Sequence, residues 1–292
     1  MNEQRDYSLA AWTSWHVGGN AERFVCPATL TDLTDYLSAL SHNSPEIPLT
    51  WLGLGSNVLI REGGIAGAVI CTRDLQQFGQ NLDGTLWAQA GVTCAKFARF
   101  ACDHGFPEAV FFAGIPGTIG GALAMNAGAF GSETWAWVES VKVINRQGKV
   151  MHRVPGEYRL AYRTVARLEQ TQQEEAFVEG VFRFPFQADR EGRAEIRALL
   201  KKRAQSQPIG TLNCGSVYRN PPGDFAARLI EACGLKGYQQ GAAQISLKHA
   251  NFIINLGAAT ARDIEAIMQT IESQVRDKFG VALVPEVRIL GK

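Results

Sequence analysis

The chain has 292 residues, of which 46% are hydrophobic and 20% are charged, and its formal net charge is +1. This composition is ordinary for a folded globular protein, and the length suits two or three domains with a substantial core. The balanced charge argues against a general nucleic-acid binder or a membrane-surface binder, because either would carry a basic excess.

The first residues are polar and are followed by no apolar signal-peptide segment, and no apolar run is long enough to span a bilayer. No cysteines form a CxxC pair, so the sequence suggests neither a metal site nor a disulfide framework. We therefore expect a protein of the reducing cytoplasm, without metal, nucleic acid or membrane among its partners. The scattered cysteines are Cys26, Cys71, Cys94, Cys102, Cys214 and Cys233.

The predicted elements follow in chain order from hydrophobic periodicity and from cap and turn residues. In the first part we predict strands at 21–26, 49–60 (two strands around a turn), 67–72, 85–90, 138–145, 149–154 and 176–184, and helices at 30–40, 94–104 and 122–125. In the second part we predict helices at 196–205 and 225–233 and a long helix from Thr260 to Gly280, with strands at 213–218, 243–245, 252–255 and 281–290. Strands outnumber helices in mixed order, which favours an α+β protein over a doubly wound sheet.

A glycine-rich stretch at 113–131 stands out, because folding must remove the extra backbone entropy of its six glycines. Pro116-Gly117 predicts a turn, after which Thr118 is placed to cap the short helix. Successive N–H groups with a helix N-terminus behind them would form an anion cradle suited to a diphosphate. The alternative is a glycine loop that simply packs against its own domain.

A second stretch, at 49–60, places Gly53, Gly55, Ser56 and Asn57 between two apolar strands. It is not a Rossmann fingerprint, since the third glycine is missing and a strand follows, and alone it fits a plain hairpin turn. Two phosphate-type loops in one chain suggest a long ligand with a central diphosphate.

These motifs together resemble the FAD-binding domain of the vanillyl-alcohol oxidase type and, more narrowly, the UDP-N-acetylenolpyruvoylglucosamine reductase family. The resemblance covers nearly the whole chain, and its specificity lies in the order of the motifs. They are Thr13-Ser-Trp-His-Val-Gly-Gly19, Gly53-Leu-Gly-Ser-Asn-Val-Leu59, Gly114-Ile-Pro-Gly-Thr-Ile-Gly-Gly121, Tyr162-Arg163, Gly215-Ser-Val-Tyr-Arg-Asn-Pro221, Lys248-His249 and Pro285-Glu-Val-Arg288. The interval from Arg163 to Ser216 is too short for the tyrosine loop of the longer branch, so the resemblance is to the shorter branch.

The resemblance implies an α+β fold with an FAD-binding domain at 1–186, in subdomains at about 1–68 and 69–186, and a smaller substrate-binding domain at 187–292. It also implies non-covalent FAD, NADPH as co-substrate and a UDP-sugar substrate; we expect a monomer. The residues assigned to the cofactor are Gly53, Gly55, Ser56, Asn57, Gly114, Pro116, Gly117, Thr118, Gly120, Gly121, Asn126 and Gly128.

Three residues are assigned to catalysis by the same resemblance. Ser216 is implied as proton donor, Glu286 as a second acidic or electrostatic residue, and Arg163 as the partner of the substrate carboxylate. Without the resemblance, these would be a strand serine bonded to backbone, a solvent-facing charge and a surface arginine. The residues assigned to substrate binding are Tyr162, Arg219, Asn220 and His249.

Two other functions stay open at this point. One is an oxygen-using flavin oxidase with the same FAD domain, and the other is a non-catalytic sugar-nucleotide binder. The set Arg163, Ser216 and Glu286 favours the reductase, because oxidases of this fold have no need of it.

Overall fold

The computed structural model describes residues 2–169, 174–187 and 189–292. Within those ranges, no helix is both long and apolar enough to cross a membrane. The strands are β1 (Gln4–Ser8), β2 (Asn20–Val25), β3 (Leu49–Leu52), β4 (Val58–Ile60), β5 (Ile65–Cys71), β6 (Phe78–Gln80), β7 (Leu86–Gln89), β8 (Gly128–Ala129), β9 (Ser132–Glu133), β10 (Val138–Asn145), β11 (Val150–Arg153), β12 (Tyr158–Ala161), β13 (Thr164–Arg167), β14 (Glu175–Phe182), β15 (Gln239–Gln240), β16 (Ala243–Ile245), β17 (Ile253–Asn255) and β18 (Arg288–Leu290).

The α-helices are α1 (Leu30–Asn43), α2 (Cys94–Asp103), α3 (Ile119–Met125), α4 (Gly192–Ser206), α5 (Ala226–Ala232) and α6 (Ala261–Phe279). Short 3-10 helices cover Ala10–Trp12, Pro107–Gly114, Thr134–Ala136 and Pro155–Glu157. The mixed content confirms the predicted α+β class.

The chain divides into two compact units that do not follow a single linear boundary. The first unit comprises Met1–Glu3, Phe24–Leu54 and Ala68–Lys201, and the second comprises Gln4–Arg23, Gly55–Gly67 and Lys202–Lys292. The second unit therefore takes two segments from the first quarter of the chain, whereas the sequence predicted one uninterrupted C-terminal domain from residue 187.

The first unit is built around an antiparallel sheet in the order β11-β10-β14-β7-β6. The register pairs Val141 with Gly180 and Gly180 with Ala88, so β14 lies at the centre. Helix α3 packs against β14, and a cluster of buried aromatic rings fills the core beneath the sheet. The rings of Phe97 and Phe182 lie 5.0 Å apart between their centroids.

The second unit packs around α6, whose apolar stripe is buried as the periodicity predicted. Thr260 and Asp263 form a reciprocal capping box at its start, and Gly280 ends it in the left-handed conformation at φ 67°. In the same unit, β4 pairs in parallel with β18, with Val58 opposite Arg288.

Two predicted strands of the second unit are wrong. The segment 213–218 forms a single isolated bridge, between Tyr218 and Pro285, and only Arg288–Leu290 of 281–290 is a strand. The cause is that Pro285 has no N–H for a ladder and that side chains satisfy part of this backbone. Asn251, for example, accepts a hydrogen bond from the Tyr218 amide at 2.9 Å and donates one to the Tyr218 carbonyl at 2.8 Å.

Candidate active site and cofactor site

The predicted cofactor segment of the first unit begins at the end of a 3-10 helix and runs into α3. Thr118 occupies the N-cap position as predicted, but its side chain makes no capping hydrogen bond. Thr118 is only 2% exposed, and its Oγ1 is a buried polar atom that has no hydrogen-bond partner in the described residues. An unsatisfied buried hydroxyl is costly, and such a group marks a place where a ligand would complete the bonding.

Gly53 lies directly against this hydroxyl. A Cβ added to Gly53 would stand 2.8 Å from Oγ1 of Thr118, which is closer than real Cβ atoms come to other heavy atoms. Glycine at this position therefore leaves the space beside Thr118 open. The two predicted phosphate-type motifs do meet here, through one residue of each.

Some backbone N–H groups at the N-terminus of α3 donate hydrogen bonds to the protein, and others donate none within the described residues. The N–H of Ile119 donates to the Val92 carbonyl at 2.9 Å, and that of Gly120 donates to the Ala90 carbonyl at 3.0 Å. The N–H groups of Thr118 and Gly121 have no such partner among the described residues. The cradle is therefore narrower than the glycine pattern predicts, because its two free donors, at Thr118 and Gly121, flank two donors that hold α3 in place.

The glycines of this segment have different structural reasons. A Cβ on Gly120 would meet the Cβ of Ala90 at 2.8 Å, and one on Gly114 would meet the Phe130 ring at 2.5 Å, so both serve close packing. Gly121 is exposed, and a Cβ there would meet only Oγ1 of Thr118 at 3.9 Å. Gly121 is thus a glycine with room for a ligand beside it.

In the second unit, the predicted cofactor residues form a turn before β4. Gly55 is buried with φ 65° and stands against the Trp12 carbonyl, so no side chain fits there. The backbone N–H groups of Gly55, Ser56 and Asn57 donate no hydrogen bond within the described chain. Three successive free donors in a tight turn suit an anionic group.

The residues that the FAD assignment requires fit that cofactor in two ways. Thr118 offers an unsatisfied buried hydroxyl beside a glycine that keeps its space clear, and the turn at Gly55 offers consecutive free amides. Both features suit the phosphate oxygens of a dinucleotide, which accept hydrogen bonds and carry negative charge.

Asn57 is held by the segment of its own unit that carries Glu286. Its Nδ2 donates to the Glu286 carbonyl at 3.0 Å, and its own carbonyl accepts from the Arg288 amide at 3.0 Å. Its side-chain nitrogen therefore positions the Glu286 backbone, while its backbone N–H donates no hydrogen bond within the described chain.

Ser216 and Glu286 come together in the second unit, although neither lies in a strand. The Glu286 amide donates to the Val217 carbonyl at 2.7 Å, and the Arg219 amide donates to the Val284 carbonyl at 2.9 Å. The two predicted catalytic residues thus lie on neighbouring backbone segments that run antiparallel. Both are half-buried, and the Ser216 hydroxyl makes no hydrogen bond to any part of the chain that the structure describes.

Cys214 is the buried neighbour of this pair. Burial raises the pKa of its thiol well above the ordinary value, and the negative charge of Glu286 raises it further. The thiol is therefore protonated and inert at neutral pH, as a structural cysteine is.

The other predicted residues of the second unit differ in placement. Asn220 is exposed, and its Oδ1 accepts from the Ala226 amide at 3.2 Å at the start of α5. His249 is half-buried, and its Nδ1 accepts from the Asn251 amide at 3.3 Å. Burial lowers the pKa of His249, the nearby Lys236 lowers it further and Glu231 opposes the shift, so the ring is neutral at pH 7.

In the first unit, Tyr162 and Arg163 form the two-residue turn of the hairpin β12–β13, in which Ala161 pairs with Thr164. Arg163 adopts a left-handed conformation at φ 54°. Its Nη1 donates to the Asn126 carbonyl at 3.3 Å, and its guanidinium carbon lies 5.0 Å from the centroid of the Tyr162 ring. The sequence predicted these residues but not the hairpin that presents them.

Sequence reasoning missed Asn251, which fixes the backbone on both sides of Tyr218 two residues beyond Ser216. The available signal was its position beside the Lys248-His249 motif, but a partner so far along the chain is not visible in a local pattern.

Comparison with known proteins places the chain. It is 52% identical to the UDP-N-acetylenolpyruvoylglucosamine reductase of Methylococcus capsulatus, over 97% of this chain and 91% of that protein. It is 50% identical to the protein of the same name from Coxiella burnetii, over 98% of this chain and 95% of that protein. The chain belongs to the UDP-N-acetylenolpyruvoylglucosamine reductase family.

Domain and structural comparisons agree with this membership. Residues 207–290 match the C-terminal domain of UDP-N-acetylenolpyruvoylglucosamine reductase, and residues 21–153 match the FAD binding domain. The crystal structure of the reductase from Thermus caldophilus superposes with a TM-score of 0.81 at 28% identity, covering 99% of this chain and 98% of that one. The predicted family and fold class are confirmed.

Proposed function

We propose that this chain reduces the enolpyruvyl ether of UDP-N-acetylglucosamine enolpyruvate to UDP-N-acetylmuramate, using FAD and NADPH, in the synthesis of peptidoglycan precursors. Family membership across almost the full length supports the reaction. The match of residues 21–153 to an FAD binding domain supports the cofactor.

The reaction adds a hydride to the terminal carbon of the enolpyruvyl group and a proton to the carbon that carries the carboxylate. FAD, when bound, supplies the hydride. The chain must therefore hold the cofactor, deliver the proton and stabilise the negative charge that develops next to the carboxylate.

We assign the proton to Ser216. The observation that carries this assignment is the antiparallel pairing of its backbone segment with that of Glu286, which leaves the Ser216 hydroxyl half-buried and without a hydrogen bond in the described residues. A serine hydroxyl is a weak acid, so a charged group must assist it. Glu286 is the acidic residue on the segment paired with Ser216, and we assign it the second electrostatic role.

We assign Arg163 to the substrate carboxylate, because a guanidinium offers a planar pair of donors that suits a carboxylate. Tyr162, Arg219, Asn220 and His249 remain our candidates for substrate binding. Cofactor binding in residues 1–186 and substrate binding in 187–292 remain proposals too, supported by the matched ranges 21–153 and 207–290. A monomer in the cytoplasm remains our prediction.

The decisive test separates the two half-reactions by stopped flow in the Ser216→Ala protein. Reduction of FAD by NADPH transfers only a hydride, so its rate should stay near that of the wild type. Reoxidation by the enolpyruvyl sugar should slow by a factor on the order of 10² or more, which is a usual contribution of a positioned general acid.

Ser273→Ala is the matched control, because Ser273 lies on the exposed side of α6 and its hydroxyl bonds, within the described ranges, only to Asp277. Both of its half-reactions should match the wild type. Equal slowing of both half-reactions in Ser216→Ala would show that the residue positions the flavin. No slowing of either would mean that Ser216 is structural and that the proton comes from elsewhere.

A further inference from the structure

The turn that carries Arg163 is attached to the glycine-rich segment by one residue, Asn126. This asparagine ends α3 in the left-handed conformation at φ 42° and is 0% exposed. It was predicted as a cofactor residue, but both ends of its amide are bound to protein. Its Oδ1 accepts from the Trp135 amide at 3.1 Å, and its Nδ2 donates to the Ala161 carbonyl at 3.4 Å.

These bonds hold the Arg163 turn at two points. Ala161 is the last residue of β12 before the turn, so the bond from Nδ2 fixes the backbone from which Tyr162 and Arg163 leave the hairpin. The Asn126 carbonyl accepts from Nη1 of Arg163 at 3.3 Å, and the Gly128 carbonyl accepts from Nη2 at 3.5 Å. Asn126 thereby orients both the backbone that carries Arg163 and the guanidinium group of Arg163.

We propose that Asn126 is a positioning residue for Arg163, which it holds ready for the substrate carboxylate, rather than a ligand of the cofactor. The inference rests on the proposed role of Arg163. Its physical basis is that a pre-oriented guanidinium loses less side-chain entropy when the substrate binds, and that small displacements of a catalytic group are costly in rate.

The base of the same hairpin is held independently of Asn126. The carboxylate of Glu175 on β14 pairs with Arg153 at 2.7 Å and with Arg167 on β13 at 3.3 Å, and its side chain is only 8% exposed. Tyr158, opposite Arg167 in the hairpin, is buried, and its burial followed by the charge of Glu175 raises its pKa to about 12. A change at Asn126 should therefore loosen the tip of the hairpin and leave its base in place.

The test is a double-mutant cycle between Asn126→Gly and Arg163→Ala, read in the separate half-reactions. Glycine tolerates the left-handed conformation and keeps the carbonyl that Arg163 contacts, while it removes both side-chain bonds. We expect Asn126→Gly to retain FAD and to slow reoxidation by the enolpyruvyl sugar by a factor on the order of 10. In the Arg163→Ala background, which is itself slow, the same change should have no further effect.

Two further variants guard against a general loss of structure. Asn126→Asp also tolerates the left-handed conformation and keeps the acceptor for Trp135, but it loses the donor to Ala161, so it should reproduce the slowing. Asn145→Asp makes the same exchange at a buried asparagine of the β10–β11 turn, outside the predicted site, and should affect the two half-reactions equally if at all.

The outcomes separate this inference from the proposed function. If Asn126→Gly slows reoxidation by the same factor in both backgrounds, or releases FAD, Asn126 does not act through Arg163 and the inference is wrong while the function stands. If Arg163→Ala reoxidises as fast as the wild type, the proposed role of Arg163 is wrong and the inference falls with it.

Discussion

Replacing Thr118 by valine should move two measured quantities in opposite directions. Valine has the shape and branching of threonine but replaces the hydroxyl by a methyl group. Oγ1 of Thr118 is buried and has no hydrogen-bond partner in the described residues. Removing an unsatisfied buried hydroxyl should raise the free energy of unfolding of the FAD-free protein by about 1 kcal/mol, with ~3 as the upper bound.

The affinity for FAD should fall in the same variant. If Oγ1 donates to a phosphate oxygen, the lost hydrogen bond to a charged group is worth about 1.5–3 kcal/mol. The dissociation constant for FAD should then be roughly 10- to 100-fold larger. The neighbouring residue, Gly53, has no side chain that could donate a hydrogen bond in place of the lost hydroxyl. The assays are urea unfolding of the FAD-stripped protein and titration of FAD by its fluorescence.

Thr134→Val is the matched control, since Thr134 is also buried but its Oγ1 donates to the Ala127 carbonyl at 2.7 Å. This variant should lose about 1 kcal/mol of unfolding free energy in the FAD-free protein. If Thr118→Val is destabilised like Thr134→Val and binds FAD with unchanged affinity, Thr118 is a structural residue and the phosphate-site reasoning is refuted.

The remaining predictions concern the glycines of α3 and the buried histidine. Gly121→Val should fold with a nearly unchanged melting temperature but bind FAD weakly. Gly120→Val should lower the melting temperature, because a valine at position 120, unlike one at 121, would collide with Ala90. The reverse pattern in thermal melting and FAD fluorescence would contradict the assignment. Burial lowers the pKa of His249, so as the pH falls below about 6.5 the unfolded state binds a proton at His249 before the folded state does. The free energy of unfolding should therefore decrease as the pH falls through this range. Urea unfolding at pH 7 and pH 5 should therefore show a smaller pH effect in His249→Gln than in the wild type, and an equal effect would contradict the shift.

Local signals in the sequence predicted the regular elements well. The strand at 138–145 has the predicted bounds, and α6 begins after Thr260 and ends before Gly280 as its cap residues indicated. These elements are determined by residues within a few positions of their ends, through capping side chains and the period of buried positions.

The parts that were not predicted depend on contacts between distant residues. The chain around Tyr218 looks like a strand in isolation, but its partners are the side chain of Asn251 and the backbone around Pro285. The glycine pattern likewise predicted a cradle without showing that Ala90 and Val92 take two of its amides. The resemblance supplied the candidate residues, and only the structure distinguished Gly121, with space beside it, from Gly120, which packs tightly.

The interleaved composition of the second unit has a consequence for how the protein is made. Trp15 is 0% exposed, and its Nε1 donates to the Ile253 carbonyl at 2.7 Å. Strand β4 pairs with β18, which lies at the end of the chain. A ribosome delivers these early segments long before the residues that cover them, so they stay exposed through most of translation. Such long-range pairing slows folding, and an apolar strand without its partner invites aggregation. Overexpression at high temperature should therefore favour insoluble protein, and slower synthesis or a chaperone that shields the first 60 residues should recover it.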